Sequence, residues 1–416
     1  MHPESPTRGR DTHGCLKTPH KYICNSIPPA NMSTTPRRTG LIGLSSSAIT
    51  SWAADGHLPA IQSTAGRELY QITALCNSSV AAAESAIRTY QLDPTTVKPY
   101  GNPDDLAADP AIDLVICNTR VDKHYETVLA SVRAGKSVYI EWPIASSLAH
   151  VDDLLAVARA SGARVAVGLQ GRFAPAVLKV KEVLRSGQLG RLLSTEVRGF
   201  GGTFDREFLP PGLKYFSQKE VGGNSIVIGF GHMIDYVQSV VGNVVVGTDE
   251  ARTQIQRPRI RIRDPQTREI VEEVDSDVPD LLSVHGSLPE SPYTVPGATL
   301  VVYFARGQPF PGDPSLSWTL NCEAGAIRLS APAGISLQAD AYQNPATISV
   351  HHHATDTVEA VEWSWSEDQL ELPVKARSVQ RTLIDFAKGN PDGYVSLEEA
   401  AGRARQLARW LDGSNK

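Results

Sequence analysis

One stretch, Gly135-Lys136-Ser137-Val138-Tyr139-Ile140-Glu141-Trp142-Pro143, constrains the fold more than any other. Its alternation of Val138 and Ile140 against Ser137 and Tyr139 reads as a short buried strand. Pro143 has no N–H for a further ladder bond, so the strand stops there. Before it the chain alternates strand and helix signals; after it strand signals dominate. The end of this strand is therefore expected to be the crossing between two architectures, with Glu141 and Trp142 facing the space between them. Open parallel sheets hold their ligands at such carboxyl ends.

At 416 residues the chain is too long for one ordinary core and is expected to form two domains. A net charge of −5 argues against a direct nucleic-acid partner. No apolar run reaches the roughly 18–20 residues of a bilayer span, so no membrane partner is expected. The five cysteines, Cys15, Cys24, Cys76, Cys117 and Cys322, are odd in number and scattered, which suits free thiols in a reducing, cytoplasmic setting. Residues 1–37 carry Pro, Ser, Thr, Arg and His without apolar periodicity and read as a disordered tail. The tail holds no signal-peptide core, Glu4 and Asp11 interrupt any amphipathic presequence, and Met32 is an alternative start.

Residues 38–165 read as an NAD(P)-binding Rossmann domain. The strand Arg38–Leu44 enters Gly43-Leu44-Ser45-Ser46-Ser47-Ala48 and then a helical pattern, a dinucleotide-binding turn with substitutions. Gly43 takes the tight-turn position, Ser45 stands where a second glycine would be, and Ala48 takes the helix–sheet packing position. Ser45, Ser46 and the backbone N–H groups at the helix start can meet a pyrophosphate. With one glycine of three, a plain strand–turn–helix reads the same way. The second strand, Tyr70–Cys76, ends at Asn77-Ser78-Ser79, without the acid that holds the ribose 2′-hydroxyl of NAD. Asn77 and Ser78 are expected at the adenosine ribose; being uncharged they tolerate a 2′-phosphate, which tips the choice from NAD toward NADP. They also read simply as the cap of the helix Val80–Tyr90. The third strand, Leu114–Cys117, brings Thr119 to the cofactor's edge and opens a helix from Val121 through His124 to Ala134, with Gly135 closing it.

Residues 166–412 read as an α+β domain with a large, mostly antiparallel sheet, its last helices free to pack back on the first domain. Strands are expected at Leu192–Phe200, Thr299–Ala305, Ser317–Cys322, Ala326–Ser330, Thr347–His352 and Val358–Trp365. One helix, Ser225–Val241, carries His232 and Asp235. Residues 251–296, rich in Arg, Pro, Asp and Glu, read as a solvent-exposed excursion. Within it, Arg259-Ile260-Arg261-Ile262-Arg263 alternates as a strand with its arginines outward. His351-His352-His353 alternates faces and so cannot converge on one metal.

The strand–turn–helix at Gly43, the turn at His124 and Glu141-Trp142-Pro143, in that order, resemble the Gfo/Idh/MocA oxidoreductase family over about residues 38–412. In that family a Glu-Lys-Pro crossing ends the nucleotide domain, and a later helix carries an Asp four residues before a His. Here the lysine position is Trp142 and the aspartate position is Ile228; His232 remains, in Gly229-Phe230-Gly231-His232. Glu141-Trp142, Leu169-Gln170-Gly171-Arg172, Gly231-His232 and Val278-Pro279-Asp280 look like the branch containing the fungal galactose-regulon co-repressor.

The resemblance implies an NAD(P)-dependent oxidoreductase acting on the alcohol or carbonyl group of a sugar-like or specialised metabolite. In it His232 would be the catalytic proton donor or acceptor, with His124, Gln170 and Arg172 toward the substrate and Glu141 and Trp142 at the nicotinamide. No metal is called for. The branch implies an alternative: a non-catalytic NAD(P)-binding co-repressor whose partner is a transcriptional activator and whose place is the nucleus. Either way a homodimer through sheet packing is expected.

Overall fold

A computed structural model describes residues 35–47, 51–339 and 344–413; Ala48 and most of the tail lie outside them. Six strands build the first sheet: β1 (Arg37–Ile42), β2 (Tyr70–Cys76), β3 (Lys98–Tyr100), β4 (Leu114–Cys117), β5 (Ser137–Glu141) and β6 (Val165–Gly168). They are mutually parallel in the order β6-β5-β4-β1-β2-β3. Helices between successive strands cover both faces, so central strands must be apolar on both sides. β4, Leu-Val-Ile-Cys, is accordingly buried throughout. The chain steps outward from β1 through β3, then returns to start β4 on the other side of β1. That reversal opens a crevice at the carboxyl ends of β1 and β4.

The larger sheet follows. Its strands are β7 (Leu192–Gly201), β9 (Glu250–Gln254), β12 (Leu281–Ser287), β13 (Thr294–Arg306), β14 (Leu316–Cys322), β15 (Gly325–Ala331), β16 (Thr347–His352) and β17 (Thr357–Ala360). The order is β17-β16-β15-β14-β7-β13-β12-β9, antiparallel except for β7 with β13. A small sheet of β8 (Phe208–Leu209), β10 (Arg259–Arg263) and β11 (Ile270–Asp275) sits apart from it. A last strand, β18 (Val395–Ser396), returns to the first sheet and pairs antiparallel with β6. The helix Val374–Lys388 also returns: its Ala376, Val379, Leu383 and Phe386 share a core with Leu41, Leu75 and Tyr139.

Two expectations need correction. Residues 251–296 are no exposed excursion: they supply β10, β11 and two strands of the main sheet, with Leu282 and Val284 fully packed. β10 is the strand expected at Arg259–Arg263, its arginines outward and its Ile260 and Ile262 buried. The strand expected over Val358–Trp365 ends at Ala360; Trp363 then donates its indole N–H to the carbonyl of Ala346 at 2.9 Å. No described helix is long and apolar enough to cross a membrane, and the described residues hold no cluster of metal-ligating side chains.

Candidate functional site

Polar side chains gather at the carboxyl ends of β4, β5 and β6. Glu141 closes β5 and is buried; its Oε1 accepts from Nε2 of His57 at 2.6 Å and from Nε2 of Gln170 at 2.8 Å. Gln170, just past β6, also donates to the Tyr139 hydroxyl at 3.2 Å, which lies 3.2 Å from the Thr382 hydroxyl. Desolvation, reinforced by the Glu141 charge, pushes the Tyr139 phenol far above its ordinary range. His57 is fully buried and ends a π-helical turn, Ala53–His57; its ring stands edge-on to that of Tyr139, centroids 5.3 Å apart. Around this chain of bonds several buried atoms lack a partner: Nδ1 of His57, Oε1 of Gln170, and both amide atoms of Asn118. Asn118 follows Cys117, which pairs with Ile140, so it lies level with Glu141 across the sheet.

The turn after β1 faces Asn118. Gly43 has φ +92°, and a Cβ there would sit 2.9 Å from the Asn118 carbonyl carbon, so only glycine fits. Ser45 accepts from the Ser47 amide at 3.2 Å, and Ser46 is exposed with its hydroxyl 3.3 Å from that of Ser85. Asn77 braces the turn by donating to the Leu44 carbonyl at 2.9 Å, which commits its amide N–H group. Ser78 is exposed, and Ser79 rather than Asn77 caps the next helix. A crevice at the strand reversal, a turn without a side chain and a buried amide lacking partners are compatible with a dinucleotide.

From the other side comes the run Ser225–Val241. It begins as a π-helical turn, Ser225–Phe230, with Asn224 capping two of its N–H groups, and continues as an α-helix. The Trp142 indole donates to the Val227 carbonyl at 2.7 Å and is buried in the shared core. Within Gly223–Gln238 only Val227, Ile228 and His232 keep accessible surface. Nδ1 of His232 is buried without a partner. Desolvation lowers the His232 pKa, against the pull of Glu141 and Asp235, so the ring favours the neutral form. Ile228 packs toward Gly223 beside Val121 and Tyr215, and the Arg120 guanidinium lies 5.3 Å from the Tyr215 ring centre.

Two residues expected to meet substrate are occupied within the chain. Both ring nitrogens of His124 face carbonyls, of Pro143 and Thr119, each at 2.8 Å. Arg172 grips Asp235 with two nitrogens, at 2.9 and 2.6 Å, and Glu399 with the third at 2.5 Å. Burial opposes the Arg172 charge, but Asp235 and Glu399 outweigh it and the pKa rises. Glu399 is also the residue whose amide Ser396 caps, so its carboxylate is spent on Arg172 rather than on closing a capping box. His57, Asn118 and Tyr215 carried no motif; a histidine on the inward face of the helix after the Gly43 turn was the one available sign of His57.

Fold and site together define a nucleotide-fold protein whose first sheet is joined to a second, mostly antiparallel one across a polar strand edge. A model described as the oxidoreductase family with an NAD-binding Rossmann fold matches residues 37–169, and one described as the Gal80p C-terminal domain matches residues 175–331. The dehydrogenase aclE of Aspergillus oryzae is 30% identical over 373 residues, 89% of this chain and 94% of that protein. The chain belongs to the Gfo/Idh/MocA oxidoreductase family. It is also 28% identical over 259 residues to the galactose/lactose metabolism regulatory protein GAL80 of Saccharomyces cerevisiae, covering 61% of this chain and 58% of that protein. The crystal structure of a super-repressor mutant of Gal80p from Saccharomyces cerevisiae shares the fold, with a TM-score of 0.77 at 21% identity, over 91% of this chain and 96% of that one.

Proposed function

We propose that the chain is an NAD(P)-dependent oxidoreductase acting on an alcohol or carbonyl group, with His232 moving the proton. The observation that carries this is the position of His232: it is the one titratable side chain with accessible surface in the run Gly223–Gln238. Gly43, Ser45, Ser46 and Thr119 would hold the cofactor, and the nicotinamide would supply or accept hydride. His232, kept neutral by burial, would take the alcohol's proton at Nε2, with the ring's own proton on Nδ1. The absence of an acid at Asn77-Ser78 favours NADP over NAD. A homodimer through the face of the larger sheet that exposes Val301 and Val358 is part of the same reading.

The second reading, an NAD(P)-binding regulator gripping a transcriptional activator, draws on the likeness to GAL80 and on Trp142, whose N–H is spent on Val227. Turnover separates the two. Purified protein with NADPH or NADH and a carbonyl panel should oxidise the cofactor, and His232→Ala should cost on the order of 10²–10⁴ in turnover while leaving cofactor affinity intact. Cofactor binding without turnover on any substrate favours the regulator, and an active protein indifferent to His232→Ala removes His232 from the chemistry.

A further inference from the structure

We infer that the reacting group is carried on an apolar, ring-bearing skeleton rather than on a polyhydroxylated one, with Val121, Tyr215 and Ile228 as the wall that selects it. This rests on the oxidoreductase reading above. The argument is one of hydrogen-bond supply. A polyol entering a closed site must find a partner for nearly every hydroxyl it takes out of water, since each one left unmade is costly. Most polar side chains near the strand edge are already committed: Arg172 to Asp235 and Glu399, His124 to carbonyls, Trp142 to Val227. The Nε2 of Gln170 is shared between Glu141 and Tyr139, and Arg120 forks onto Asp122 at 2.6 and 2.7 Å.

What remains accessible on the helix face is apolar with one polar point; the unpartnered atoms of Asn118, Gln170 and His57 are buried at the strand edge. Val227, Ile228 and His232 form the accessible stripe, and Ile228 stands one turn before His232, hence on the same face. Val121, Tyr215 and Ile228 close on Gly223: a Cβ there would meet their carbons at 2.8, 3.3 and 3.4 Å. Arg120 lies against the Tyr215 ring and fixes its plane. A flat ring can stack on or against Tyr215 and leave a single oxygen at His232.

Calorimetry on the full chain, saturated with whichever oxidised cofactor it binds, tests this with acetophenone and myo-inositol as probes. Acetophenone should bind at least about tenfold more tightly, and Ile228→Asp should shift that ratio about tenfold or more toward myo-inositol. Tyr215→Ala, checked for its fold by circular dichroism, should weaken acetophenone and leave myo-inositol unchanged, which keeps the test intact if the aspartate variant does not fold. Preference for myo-inositol, or no binding of acetophenone, overturns the inference. Binding of acetophenone with no turnover of any carbonyl of the panel under NADPH or NADH leaves the wall standing and overturns the oxidoreductase reading instead.

Discussion

Glu141 illustrates how single side chains are held at this site. A buried carboxylate needs donors, and it has two, His57 and Gln170, on one oxygen. Removing the first in His57→Ala should cost about 1–3 kcal/mol, because a charged acceptor loses half its donors out of reach of water. Urea denaturation reads this directly, and an unchanged midpoint would contradict the pairing. Gly43 is the second residue with no substitute. Gly43→Ala combines a left-handed backbone with a methyl pressed on Asn118, for about 1–2 kcal/mol of strain, and should also abolish cofactor binding in a calorimetric titration. Ser78→Asp, at an exposed position, is the test of cofactor choice: it should shift preference toward NAD. Asn77→Asp would confuse it by setting a carboxylate against the Leu44 carbonyl.

At the level of elements, the strand edge is held by pins from distant parts of the chain. The turn Gln170–Phe173 is tied through Arg172 to Asp235 on one helix and to Glu399 on another. Desolvation would raise the Asp235 pKa, but Arg172 and Arg403 overcome it and hold the carboxyl below its ordinary value. Arg172→Ala should therefore cost about 3–5 kcal/mol, as expected when one partner of a buried pair is removed. It should do so without changing cofactor affinity. A variant that keeps its stability but loses substrate affinity would return Arg172 to the substrate. The two π-helical turns also pin adjacent residues: one sends His57 to Glu141, and the other offers the Val227 carbonyl to Trp142.

For the molecule as a whole, pH should act through buried His232. Desolvation lowers its pKa from 6.5. The unfolded chain then binds more protons below that value, so stability is fully present above about pH 6.5 and is lost as pH falls through the folded value. The melting temperature should decline from pH 7 to pH 5; a flat curve over that window would contradict a neutral buried His232 ring. Much of this architecture was legible in the sequence. β4 matches its expected bounds because burial on both faces leaves an unbroken apolar run; β2 matches too, although its Gln71 is exposed. The helix carrying His232 was equally plain, since its apolar spacing is local. What escaped depends on remote pairings. Arg172 looked free because its partners stand 63 and 227 residues away, and His57 meets Glu141 across 84. β10 was legible from its alternation, but its pairing with β8 and β11 in a separate sheet was not.

β18 and the helix before it carry a consequence for the chain while it is being made. The first sheet begins at Arg37, yet its last strand is Val395–Ser396 and its core needs Phe386. Arg37 itself donates to the Ala387 carbonyl at 3.0 Å. A nascent chain on the ribosome must therefore wait for nearly its whole length before the amino-terminal sheet can close. Until then the outer edge of β6 stays unpaired, an invitation to stray strands. Ribosomes stalled before residue 390 would release a chain with every strand of the parallel sheet but β18, and with its edge open.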